Sequence, residues 1–393
     1  MERLTQTLRS LPMDIGSEDR EPLWLQSLSD AELVRAVARA IARPKRARFD
    51  SFTIHAPLEL LARAELLPRV PPGARAAVRL RIAAIAAGYA AGEEIEAPDA
   101  DFPSTAAAFD RLTSAARAGD ADQADAAITF LGRSLSAWDL RAGLADAAAP
   151  LLGLAAHAPI LLASLPEATA RWGDLNCLLR ASVRALALDS GPRLRWMDDL
   201  ETLTAGPDDL FEALAAPAPV ETPSSFIAPT MLAVEADGFA ARTLSRATAA
   251  ISLDQGQRSL MRIAALSMLQ DDPAHAPYGW THCLSLPQAV LALGRHADQP
   301  RRHIRVAATY ALGFRATLGR ARLTPAWEVP TPARDVTALV VRAAAHPDAH
   351  VAKYTLACLT AAAQDVEART LYLAAADYLG AWWDTHPGHG FDG

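Results

Sequence analysis

Apolar side chains recur at three- and four-residue intervals along almost the whole 393-residue chain, and runs that alternate apolar and polar positions with β-branched residues are missing. That periodicity predicts an all-α protein. The clearest helix start is SLSDAELVRAVARAIA, where Ser29 stands as N-cap, Glu32 completes a capping box, and an Ala/Val/Ile face runs on until Pro44. Further helices are expected over 74–91, 104–118, 121–133, 136–149, 174–188, 239–252, 256–270, 286–296, 301–319, 333–345, 349–364 and 367–383. Proline-rich stretches at 216–229 and 323–332 read as extended connectors, the first being the best candidate for an internal boundary. The segments on either side share one Ala-rich character, however, and no fixed repeat period runs through them. The expected organisation is an N-terminal helical segment, 1–50, followed by one large multi-helix, bundle-like domain, 51–393.

Composition narrows the partners. A hydrophobic content of 51% is ample for a sizeable core, and a net charge of −7 with scattered arginines offers no surface for a polyanion, so nucleic acid is not an expected partner. Cys177, Cys283 and Cys358 are far apart, odd in number and set in apolar helical contexts, which points to reduced thiols and a cytoplasmic protein. The opening MERLTQTLRSLPMDIGSEDRE has acidic residues throughout and does not read as a signal peptide. Residues 147–165 carry no charged side chain over about the length of a membrane span, but Pro150, Pro159 and His157 would leave broken hydrogen bonds and a polar ring in lipid. Two buried helix ends are expected there, and no membrane association.

No phosphate-binding glycine loop, nucleotide fingerprint, Cys-x-x-Cys pair or nucleophile elbow is present, so the search for chemistry turns to histidine and lysine. Three of the ten histidines, His55, His157 and His275, open a His-Ala-Pro triplet. Proline at the first helical position presets the backbone, which would put each histidine just outside a helix N-terminus, where the dipole favours the neutral, metal-binding imidazole. The competing explanation is an N-terminal staple packing on the following turn. His282, beside Trp280 and Cys283, is expected to point into the core more than His275, while His296, His303, His346, His386 and His389 read as surface residues. Of 38 basic residues only Lys45 and Lys353 are lysine. Lys45 lies in the solvated run PKRAR. Lys353 sits in AHVAKYTLACLTAAA, a helix apolar on nearly every face, with no acidic residue one turn away and with His350 on its own face. A buried amine of that kind is paired, neutral or chemically altered, the alternative being a stem that snorkels to water. A neutral amine takes up carbon dioxide to become a carbamate, an anionic oxygen ligand that arginine cannot provide. With histidines it makes a set suited to iron or zinc.

SFTIHAPLELLARA, AAHAPILLASLPE, PRLRWMDDLE and AHVAKYTLACL together resemble the questin oxidase-like proteins, helical oxygenases that act on anthraquinone-type aromatic polyketides, the likeness running in pieces from about residue 50 to 380. The resemblance implies an all-helical fold with a buried non-haem iron site using several histidines and a carboxylated lysine. Carried over, the lysine falls on Lys353, and the histidines on His350, His55, His157 and His282, with His275 as the next candidate. The late helix departs from the family pattern where an acidic residue tends to follow the lysine; Tyr354 stands there. The expectation is therefore Fe(II), with zinc as the alternative, and dioxygen acting on a small planar aromatic substrate. Phe52, Tyr278, Trp280, Tyr310 and Tyr354 are candidates for a stacking pocket, although core packing accounts for each equally well. NADPH as reductant is compatible with this reading, but no site for it is legible. The rivals are a non-catalytic helical scaffold or binding protein and a zinc-dependent hydrolase using a carboxylated lysine.

Overall fold

The computed structural model describes residues 2–10, 21–46, 51–89, 93–198, 205–224, 226–271 and 276–386. Among these the chain is helical throughout, as its periodicity predicts, with no strand and only two isolated bridges, Lys45 with Glu94 and Leu151 with Arg193. It divides into two compact units. The first takes Met1–Gly143, Ser164–Ser190 and Val340–Lys353; the second takes Leu144–Ala163, Gly191–Leu339 and Tyr354–Gly393. Residues before 50 belong to the first unit together with the chain up to 143, and the proline-rich stretch 216–229 lies inside the second.

In the first unit the helices Asp30–Ile41, Ser51–Leu66 and Pro72–Gly88 pack on one another, and Thr105–Ala118, Ala121–Ser134 and Leu179–Leu188 form a further group. The Ser29–Glu32 capping box is present as the sequence indicates. Arginines anchor the interior: Asp125, fully buried, accepts from Arg180 through both oxygens at 2.8 Å and from Arg184 at 3.3 Å. Lys45 departs from its expected solvated setting. Its side chain is largely covered, pairs with Glu94 at 3.0 Å and lies over the Tyr89 ring, because the segment after Pro44 folds back along residues 93–95.

The core of the second unit is the helix Pro300–Leu318, buried without a break from His303 to Leu318 and packed by Thr281–Gly294, Leu253–Gln270, Ile227–Glu235 and Phe239–Ala249. A helix enclosed on all sides must satisfy its own charges. Arg315 does so by pairing with the buried Asp271 and donating to the carbonyls of Leu214 at 3.2 Å, Ala215 at 2.8 Å and Ala321 at 2.7 Å. His303, expected at the surface, is enclosed by the same packing, and burial lowers its pKa. Cys283 and Cys358 are buried free thiols and Cys177 a partly buried one, in line with their apolar contexts. No helix among the described residues is long and apolar enough to cross a membrane.

Candidate functional site

In the second unit His157 and His282 come together. His157 precedes the helix Ala158–Trp172, with Pro159 in its first turn, as the His-Ala-Pro pattern predicts; its own carbonyl accepts from Ile160 and Leu161 at 3.1 Å. The approach to it is unusual: Leu154, Ala155 and Ala156 all have left-handed backbones, with φ of 53°, 48° and 55°. Three consecutive non-glycine residues in that region cost about 1–2 kcal/mol each, a cost retained only where surrounding structure imposes it. Here the neighbouring segment braces the turn through Leu152 N–H to Pro192 O and Leu194 N–H to Pro150 O, both 3.0 Å. Gly191 permits this approach, since a Cβ on it would lie 2.9 Å from the Gly153 nitrogen. The turn points the Leu154 carbonyl at His157, where it meets the backbone N–H at 3.0 Å and Nδ1 at 2.9 Å. Replacing Ala155 with glycine should relieve one left-handed residue and raise the unfolding free energy by about 1 kcal/mol in a denaturant titration.

His282 is set differently. A single π-helical turn, Ala276–Trp280, leads into the helix Thr281–Gly294, so that helix begins five residues earlier than the sequence suggests and His282 lies in its first turn. The Tyr278 carbonyl accepts His282 Nδ1 at 2.7 Å and the Thr281 hydroxyl at 3.0 Å. Both histidines thus carry their proton on Nδ1, and their Nε2 atoms face each other 3.3 Å apart, with the rings at 85°. Two facing lone pairs repel unless a proton or a cation lies between them. Two imidazole nitrogens each about 2.0–2.1 Å from one ion stand roughly 2.9–3.4 Å apart, so this pair fits two ligands of a transition metal, with backbone carbonyls as the outer partners that fix the tautomer. Phe314, stacked against His282 at 6.5 Å, closes one side.

In the first unit His55 and His350 meet edge to face with ring centroids 4.8 Å apart, both buried. His55 does not stand before a helix: it lies in the second turn of Ser51–Leu66, and Pro57 sits inside that helix instead of opening it. The dipole argument therefore does not apply to it. His350 opens the helix Ala349–Gln364, and Asp348 fixes it twice, accepting its backbone N–H at 2.7 Å and its Nδ1 at 3.0 Å. Asp348 was not singled out in the sequence, although an aspartate just before an apolar helix, as in HPDAH, is an N-cap signal. Glu59 and Arg63 gave no local signal. Arg63, fully buried, donates to Glu59 at 2.8 Å, to the Ala344 carbonyl at 2.6 Å and to the His346 carbonyl at 2.6 Å, tying the turn before His350 to the Ser51–Leu66 helix. Lys353 keeps part of its accessible surface as a residue, but the protein around its amine lowers the pKa to about 8; the nearby Asp348 and Glu59 carboxylates offset part of that burial. Burial likewise raises the pKa of Asp348 and lowers that of His346.

Among the described residues no group of three or more His, Cys, Asp or Glu side chains that could hold a metal is found. What is present is one histidine pair in each unit. Trp280, Tyr310 and Tyr354 have no exposed surface and act as core, Trp280 under the Arg315 guanidinium at 6.0 Å, and Tyr278 is part-buried beside His282. His275 and the side chain of Phe52 lie outside the described residues. No protein-family model, curated protein or solved structure matches this chain. The likeness to questin oxidase-like proteins thus rests on its motifs alone.

Proposed function

We propose that this chain is a metal-dependent oxygenase of the non-haem iron type, which oxidises or cleaves a ring of a planar aromatic, quinone- or polyketide-type substrate with dioxygen. The observation that carries the metal is the His157–His282 pair, whose Nε2 atoms converge to 3.3 Å while carbonyls hold both Nδ1 protons. Iron bound there would supply dioxygen activation and polarise a substrate oxygen. The part of the chain's own residues is positional: the left-handed turn fixes His157 and the π turn fixes His282, each through a carbonyl on Nδ1. In the first unit, Lys353 with a pKa of about 8 has a neutral fraction of roughly a tenth at pH 7, about 300-fold above that of an ordinary lysine, and the neutral amine is the form that takes up carbon dioxide. The short motifs shared with the questin oxidase-like proteins give the oxygenase chemistry and the aromatic substrate class.

The test is metal analysis of the purified protein, paired with oxygen uptake over a panel of hydroxylated anthraquinones. Iron near one equivalent with substrate-dependent oxygen uptake is the expected result. Zinc in its place would move the reading to a hydrolase, and no metal after iron reconstitution would remove the enzymatic reading altogether. Lys353→Ala, assayed alongside, should lower activity more than it lowers folding stability.

A further inference from the structure

Of the four stretches that carry the family likeness, PRLRWMDDLE contributes no residue to either histidine pair. Its described part, residues 192–198, lies in the second unit beside residues 150–152, which lead into the left-handed turn before His157. The two segments pair at the bridge Leu151–Arg193, flanked by the hydrogen bonds from Leu152 N–H to Pro192 O and from Leu194 N–H to Pro150 O. Two hydrogen bonds between irregular segments hold three left-handed residues only if one segment is itself fixed; otherwise both move together as the turn relaxes.

What fixes residues 192–198 lies just beyond the bridge. One oxygen of the Glu235 carboxylate accepts the backbone N–H groups of two successive residues, Arg195 and Trp196, the second at 3.0 Å. Glu235 ends the helix Ile227–Glu235, which also packs on the turn Gly153–Ala156, so one helix lies against both the turn and its brace. The buried Trp196 indole donates Nε1–H to the Thr309 hydroxyl at 2.8 Å and lies under the Arg305 guanidinium at 5.0 Å. Thr309, fully buried in the Pro300–Leu318 helix, in turn donates to the Arg305 carbonyl at 2.8 Å. Asp198 pairs with Arg193 at 2.9 Å and with Arg302, but these ion pairs reach solvent and contribute little.

We infer that Glu235 and Trp196 are positioning residues for His157: they hold residues 192–198, which hold the left-handed turn, which aims the Leu154 carbonyl at His157 Nδ1. The consequence is a choice of tautomer. With the carbonyl in place the His157 proton stays on Nδ1, and Nε2 turns its lone pair toward His282. With the turn relaxed the carbonyl swings away, and an imidazole without a fixed acceptor divides between two tautomers, one of which carries its proton on Nε2 and cannot ligate there. His282 is the internal control, because its Nδ1 is held by the Tyr278 carbonyl, which belongs to a different segment. The inference takes its functional weight from the proposed metal site, whereas the tautomer itself is read without metal.

The experiment is nitrogen NMR of the metal-free, full-length protein labelled at histidine, comparing the parent with Glu235→Ala, Glu235→Gln and Trp196→Phe, alongside a zinc titration of each. In the parent both Nδ1 resonances should stand at protonated values. Glu235→Ala and Trp196→Phe should move His157 Nδ1 toward the average of two tautomers, leave His282 Nδ1 in place, and weaken zinc binding by about tenfold, the low end for loss of an outer partner. Glu235→Gln retains an acceptor oxygen and should recover most of both readouts. An unchanged His157 Nδ1 in the folded variants would overturn the assignment, as would equal shifts at His157 and His282, which mark general loosening. Should Glu235→Ala fail to fold, Trp196→Phe carries the same decision, since it keeps an aromatic ring in the core and leaves Thr309 its bond to the Arg305 carbonyl. A parent that binds no zinc would remove the metal reading, while the ring resonances, measured without metal, still decide this one.

Discussion

Substituting alanine for both His157 and His282 should leave a folded protein that retains less than about a tenth of the parent's iron after dialysis. On the proposed metal site two nitrogen ligands are removed together, and no carboxylate or thiol among the described residues gathers with them to take their place. Loss of even an outer partner of a ligand costs about 10–100-fold in metal affinity, so loss of two ligands costs more. The competing account of the 3.3 Å contact is one proton shared by two imidazoles. That account predicts no metal in the parent and a titration in the histidine range visible by nitrogen NMR. The metal account predicts that added Fe(II) or Zn(II) shifts both Nε2 resonances while both Nδ1 resonances, held by the Leu154 and Tyr278 carbonyls, stay close to their protonated values. Circular dichroism of the double variant separates loss of metal from loss of fold.

Asp271→Ala should be among the most destabilising single changes in the chain, by about 3–5 kcal/mol, because it strands a buried guanidinium. Arg315 would keep three carbonyl partners but lose its counter-charge, and the backbone N–H groups of Arg320 and Ala321, which Asp271 accepts at 2.9 Å and 3.0 Å, would lose theirs. The melting temperature should fall by on the order of ten degrees. Pairing the change with Arg315→Met should recover part of the loss, because removing both charges spares the uncompensated burial that removing one creates. A double variant no more stable than Asp271→Ala alone would mean that the carbonyl contacts, not the charge pair, hold the Pro300–Leu318 helix in place.

Helices were legible because their signals are local. The capping box at Ser29 and Glu32 and the stop before Pro44 place a helix that the structure reproduces within a few residues. The Thr281 helix was expected to start at 286, but it begins at Thr281 and holds Pro287 in its interior. Pro57 shows the same limit, and with it the expected position of His55 before a helix. In the site, the convergence of His157 on His282 spans 125 positions, and nothing in the local sequence of either histidine encodes it. His282 could be preferred over His275 only through its apolar neighbours. The left-handed turn at 154–156 was invisible because Leu, Ala and Ala give no sign of positive φ. Lys353 was singled out by rarity and by its apolar helix, yet the carboxylates that face it come from Asp348, just before that helix, and from Glu59 on another. His303 and Lys45 were misplaced for one reason: each lies in a polar local sequence but is covered by a distant segment.

Carrying nearly all positive charge on arginine has a chemical corollary. Guanidinium groups do not form carbamates, imines or amides under ordinary conditions, so among side chains the reactions of amines are confined to two positions. Lys45 is paired with Glu94, 3.0 Å away. Lys353 alone combines a pKa of about 8 with partial access to solvent. Among side chains, then, acylating reagents, aldehydes and carbon dioxide find one amine of lowered pKa, and it is the one on the same helix face as His350.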